Sequence, residues 1–185
     1  MKKVFTIAFM AFAMVFATEA TAQEFSGMDK SPLDNASYPS DYKVSEKAVR
    51  ITYGRPQLKG RSLAELAPAG EVWRTGANEA PEITFYKDVK FGGTDVKAGT
   101  YALLTIPGEK EWTVVLHSNL NQWGSYFYKD EASDVARVSA GVSMGDKSLE
   151  AFSIAFKEVD GGVHMVMGWD KTRIAVPIMM GMAKM

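Results

Sequence analysis

GGTDVKAGTYALLTIPGEKEWTVVLH, residues 92–117, is the stretch whose reading decides the fold. Gly92-Gly93 marks a turn, since residues without a β-carbon take the positive φ that tight turns need. A strand then begins at Gly99 and is apolar on both faces from Ala102 to Leu104. Such a strand is covered on both sides, which places it centrally in its sheet. Pro107-Gly108 turns the chain, and Trp112, Val114 and Leu116 recur at every second position beyond it. The stretch therefore predicts an antiparallel hairpin with the period of a pleated sheet rather than of a helix.

The same alternation extends outward in both directions. Val49, Ile51 and Tyr53 form one inward set, Ile83 and Phe85 another, with Phe152, Ile154 and Phe156, then Ile174, Val176 and Ile178, further on. Asp160-Gly161-Gly162 supplies the turn of a second hairpin, between the Phe152 and Val163 strands. Only RSLAELAP, residues 61–68, reads as helical. Ser62 is its N-cap, Glu65 the reciprocal capping partner and Pro68 the stop. These readings predict an all-β chain: a single antiparallel β-sandwich, with jelly-roll-like connectivity as one arrangement, and one short helix.

The ends of the chain have a different texture. Lys2 and Lys3 precede an apolar run from Val4 to Ala17, and Ala20-Thr21-Ala22 has the small-residue pattern of a cleavage site. The run is shorter than the roughly 20 residues that span a bilayer, so residues 1–22 are expected to be a signal peptide rather than an anchor. Residues 23–45 lack a sustained period and read as an extended leader, with turns at Ser31-Pro32 and Tyr38-Pro39. Residues 46–185 are expected to form the sandwich domain, ending in a short Met-rich tail. No later run is apolar enough to span a membrane. With no cysteine in the chain, a disulfide framework is excluded. An exported, disulfide-free chain suits the periplasm or cell surface of a bacterium. The formal net charge of −1 leaves no electrostatic footprint for nucleic acid.

Five motifs taken in order carry a likeness: ITYGRPQLKGR, GEVWRTGANEAPEITF, VKAGTYALLTIPGEKEWTVVLH, NQWG and WDKTRIAVPI. Together they resemble the exported family known as domain of unknown function 2911, from about Ser31 to Ile178. The resemblance implies an envelope β-domain and brings no established activity.

The segment GEVWRTGANEA, residues 70–80, crowds polar side chains between strands and is the leading candidate site. Arg74, with Arg55 and Arg61 from the rim that follows Tyr53, would grip a carboxylate or phosphate. Asn78 and Glu79 would take hydroxyls, and Trp73 would stack on a ring. Trp123, with Tyr126 and Tyr128 in NQWGSYFY, would add an aromatic wall. The expected ligand is small and polar or acidic, of the glycan kind. The structural alternative pairs Arg74 with Glu71 or Glu79, uses Trp73 to plug the sandwich and leaves Asn78 to cap a turn. A separate reading is an envelope scaffold that docks another protein through an edge strand or aromatic patch.

Catalytic and metal signals are thin. His117 and His164 are the two histidines, and no nucleophile elbow, paired metal-binding histidines or phosphate-cradling loop occurs. Glu71 and Glu79 could form a hydrolase pair, though an offset along a loop does not fix their separation. His164, Met165 and Met167 form a thioether-rich group, but on a strand the methionines face away from the histidine. No cofactor is expected. Export predicts a mature chain beginning at Gln23, and mass spectrometry of the secreted protein checks it: a mass that retains Met1–Ala22 refutes the assignment.

Overall fold

The computed structural model describes residues 25–129 and 131–181; the expected signal peptide and the tail residues Met182 and Met185 lie outside the described residues. Along the chain run β1 (Leu33–Tyr38), β2 (Val49–Gly54), α1 (Leu63–Leu66), β3 (Glu82–Phe85), β4 (Val89–Phe91) and β5 (Thr94–Val96). Then follow β6 (Gly99–Ile106), β7 (Glu111–His117), β8 (Asp134–Gly141), β9 (Ser143–Val159) and β10 (Gly162–Met180). They make two antiparallel sheets, ordered β1-β2-β3-β6-β7-β8 and β5-β4-β10-β9, packed face to face. Among the described residues no helix is long and apolar enough to cross a membrane.

The deciding stretch takes the expected form. β6 lies inside the larger sheet, between β3 and β7, and pairs with β7 from Ala102↔His117 to Ile106↔Thr113. Leu103 faces the main core with Trp112, Val114 and Leu116. Ala102 and Leu104 face the other way with Val115 of β7, where Leu120, Phe127 and Tyr128 cover them. That second layer, built by the connection between β7 and β8, is why β6 is apolar on both sides. Gly92-Gly93 joins β4 to β5, and a β-carbon on Gly92, whose φ is 56°, would run into Val138.

β10 doubles back on itself at Asp170, where φ is 46°. Gly161 O accepts from Met180 N at 2.9 Å, and Gly162 lies so close to the Ile178 carbonyl that a β-carbon there would clash. One arm, from Gly162, pairs with β9; the other, through Ile178 and Met180, pairs with β4. The fold-back puts Val163, Met165 and Met167 on the same buried face as Ile174, Val176 and Ile178. Both apolar sets of the sequence thus serve one layer of the core.

Two strands arise where the alternation was weak. β1 lies within the leader and pairs along its whole length with β2, from Leu33↔Gly54 to Tyr38↔Val49. It is an edge strand that adds only Ala36 and Tyr38 to the rim of the core, so main-chain pairing rather than an apolar face holds it. β8 turns Ala136, Val138 and Ala140 inward. Alanines carry little hydrophobic contrast, and the strand reads faintly in the sequence for that reason. The helix is as expected: Ser62 Oγ accepts from Glu65 N, and the Glu65 carboxylate accepts from Ser62 N.

Three aromatic rings meet Phe152, whose ring is edge-on to Tyr53, Trp73 and Trp169 at centroid separations of 5.8, 5.1 and 6.0 Å. Phe152→Ala should lower unfolding free energy by about 3–5 kcal/mol. Urea denaturation checks it, with an unchanged midpoint as the contrary result. Ser62→Ala removes one cap and should cost about 1 kcal/mol in the same assay.

Candidate functional site

Trp73 anchors the segment that builds the site. Its main chain exchanges hydrogen bonds with Thr105, at 2.7 and 2.9 Å, and so occupies the position beside β6 that β3 takes further along. Opposed residues of an antiparallel bridge share a face, so the indole points inward with buried Thr105. It stacks on Trp169 at 5.4 Å and meets Trp112 edge-on at 6.1 Å. Thr75 Oγ1 donates to Thr105 Oγ1 at 3.2 Å, which extends the attachment.

Beyond Thr75 the chain leaves β6 and crosses the end of β2. Ala77 N donates to Gly54 O at 3.2 Å, and a β-carbon on Gly54 would collide with the Ala77 carbonyl. Glycine is required there by proximity alone. Asn78 turns the chain at φ 64°, a conformation that asparagine tolerates better than most side chains. The far side is tied to the connection after β7: Ala80 N donates to Gln122 O and Gly124 N to Asn78 O, both at 2.9 Å. Two loops are thereby fastened side by side above the outward face of β2 and β3.

Between them and the leader lies an open cleft of about 360 Å³. Thr52 of β2 and Glu82 of β3 line it from the outward positions of their strands; Asn78, Glu79, Asn121 and Trp123 line it from the two loops. Asp29, Ser31 and Leu33 close it from the leader side. The Trp123 indole is 64% exposed, whereas the other tryptophans are 6% exposed or less. Glu82 Oε1 accepts from Asn121 N at 2.8 Å, and Asp29 Oδ1 accepts from Ser31 N at 2.6 Å. Hydrogen bonds from the Ser31 amide and the Asn78 side chain hold the Asp29 carboxyl below its ordinary value.

Of the residues singled out in the sequence, the cleft gathers Tyr53, Asn78, Glu79 and Trp123. Tyr53 has its ring in the core, where its hydroxyl accepts from Ile154 N at 3.0 Å. Trp73 is buried rather than presented to the cleft. Arg55 joins the sheets: Nε donates to Phe152 O, Nη2 to Ser153 Oγ and Nη1 to Asp34, at 3.0, 2.8 and 3.0 Å. Arg61 donates to the carbonyls of Leu58 and Gln57, so neither guanidinium is part of the lining. Arg74 is half-buried outside the cleft, and its Nε has no hydrogen-bond partner. Glu71 is exposed and also outside, so the cleft does not unite it with Glu79.

The remaining polar candidates lie elsewhere. His117 is buried, accepts from Asn119 N at Nδ1 over 3.1 Å, and packs against Phe127 and Tyr128. Beside it the Tyr128 hydroxyl, Asp134 and Arg137 form a hydrogen-bonded cluster that pins the outer layer. His164 is half-buried on β10 between the buried residues Val163 and Met165, and the alternation of the strand turns it away from Met165 and Met167. Among the described residues no group of histidines and carboxylates could hold a metal ion. Asp29, Ser31, Thr52, Glu82 and Asn121 escaped the sequence reading. Thr52 and Glu82 had a signal, the outward positions next to Ile51 and Ile83; the leader residues had none.

The family model described as a protein of unknown function (DUF2911) matches residues 31–178, and the chain belongs to that family. Searches of curated proteins and of solved structures find no match.

Two tests follow from this geometry. Tyr53→Phe removes the acceptor of a buried amide and should cost about 1–3 kcal/mol; a melting temperature equal to that of the parent would show that Ile154 N finds another partner. Because the folded-state pKa of Asp29 is depressed, its contribution is complete above the ordinary carboxylate range and is lost as pH falls through the lowered value. NMR at decreasing pH should show the Ser31 amide shifting with Asp29 protonation, at a pH below that of an ordinary aspartate.

Proposed function

We propose that this family member is exported to the periplasm or cell surface and acts as a non-catalytic binding domain for a small, hydroxyl-rich ligand of the glycan kind. The observation that carries the reading is the exposed Trp123 indole beside amide and carboxylate groups in one cleft. A sugar ring has an apolar face of C–H groups and an equatorial belt of hydroxyls. An indole covers the first, while Asn78, Glu79 and Asn121 can exchange hydrogen bonds with the second. The cleft volume of about 360 Å³ falls at the lower end of the range for small-ligand sites, roughly 300–1,000 Å³. With the guanidinium groups of Arg55, Arg61 and Arg74 outside the lining, hydroxyl recognition is favoured over grip on an anion.

The second reading, docking of an envelope protein, draws on Tyr126, 79% exposed, and Leu33, 73% exposed, near the same indole. Its signature is co-purification that Tyr126→Ser abolishes.

Trp123 is the accessible tryptophan, which makes the binding test direct. Short neutral oligosaccharides should protect it from iodide quenching, and Trp123→Ala should weaken their binding about tenfold or more, equivalent to roughly 1.4 kcal/mol, without lowering the melting temperature. Unchanged affinity in Trp123→Ala, measured by calorimetry, would refute the assignment of the cleft.

A further inference from the structure

From the charge of the lining we infer that the cleft selects cationic ligands, and specifically amino sugars carrying a protonated ammonium group, over neutral or acidic sugars. The inference rests on the binding reading above and names the ligand class that the cleft would take.

Three carboxylates line the cavity, Asp29, Glu79 and Glu82, and no lysine, arginine or histidine does. None of the three is in an ion pair with a described residue: the pairs among the described residues use Asp34, Asp88, Asp95, Glu131 and Asp134. The nearby guanidinium of Arg55 is already matched by Asp34. Lys30 follows Asp29 in the chain and acts on it electrostatically, but lies outside the lining. Carboxylates left unmatched around one cavity create a negative potential that a low-dielectric wall focuses.

The exposed indole adds a second, independent preference. The π face of Trp123 attracts a cation as well as a C–H face. A metal ion is a poor candidate for the charge, because these carboxylates do not come together closely enough to hold one. An organic ammonium group spreads its contacts over a wider span, donating three hydrogen bonds in different directions. A sugar ring that bears such a group satisfies both features at once: its C–H face lies on Trp123 while the ammonium meets Glu79 or Glu82. An acidic sugar would place like charge against these carboxylates.

The test compares short chitosan oligomers with cello-oligosaccharides, whose rings differ in having a hydroxyl where chitosan has an ammonium group, and with oligogalacturonate. Titration calorimetry of the mature chain at low ionic strength should give about tenfold tighter binding for chitosan than for the cello-oligosaccharide, and the weakest binding for oligogalacturonate. Added salt should close the gap while leaving the neutral affinity in place, and Glu79→Gln with Glu82→Gln should weaken binding of the chitosan oligomer by a larger factor than that of the cello-oligosaccharide. Equal affinities for the neutral and cationic oligomers, or a preference for oligogalacturonate, would overturn the charge selectivity and leave the binding reading intact. Absence of binding by all three would remove both.

Discussion

The main-chain exchange between Trp73 and Thr105 is the constraint on which the site depends. It commits one residue of a glycine-rich segment to the sheet and drives its indole into the space between the layers, against Trp112, Phe152 and Trp169. Burial of a side chain that large fixes where the following residues can go. They must leave β6, pass over Gly54 and rejoin the sheet at Pro81, whose carbonyl accepts from Leu103 N at 2.8 Å. The loop that results is an excursion between two attachments to β6, held at both ends and tied along one side to residues 122–124.

Polar groups in this molecule divide into those consumed by the fold and those left over. Arg55 and Arg61 satisfy carbonyls and a serine; Tyr53 satisfies the buried amide of Ile154; Tyr128 and Arg137 both bond one carboxylate oxygen of Asp134. Each of these residues is of a type common in ligand sites, and each is used here to compensate groups that lost water on folding. The residues around the cleft are different. Glu79 and Trp123 remain exposed although their main chains are paired to each other, so rigid backbone carries free side chains. Binding surfaces benefit from that combination, because little further ordering is needed when a ligand arrives.

The fold was legible wherever side chains contrast strongly between neighbours. The hairpin through Pro107-Gly108, the turn at Gly161-Gly162, the capped helix at Ser62 and the two-faced strand at Ala102–Leu104 were all readable, since each depends on chemistry within a few residues. β8 was faint because alanine fills two of its three inward positions. β1 was faint because an edge strand with one partner is held by backbone hydrogen bonds, which carry no residue preference. The site was half legible. Its loop stood out by composition, and Asn78, Glu79 and Trp123 do line the cleft, but the arginines that made the segment look like an anion site lie outside it.

The amino-acid order by itself therefore determined the period of the strands, the positions of the tight turns, the family and the absence of disulfides, all of which follow from local patterning or composition. Tertiary structure alone decided which of two loop tryptophans, Trp73 or Trp123, would be buried and which exposed, and that Asp29 and Glu82, far apart in the chain, would line the same cleft. The physical reason is that a side chain's environment is set by what the opposite layer and the neighbouring loop bring against it. Those contacts join residues far apart in the sequence, and no window along the chain contains them.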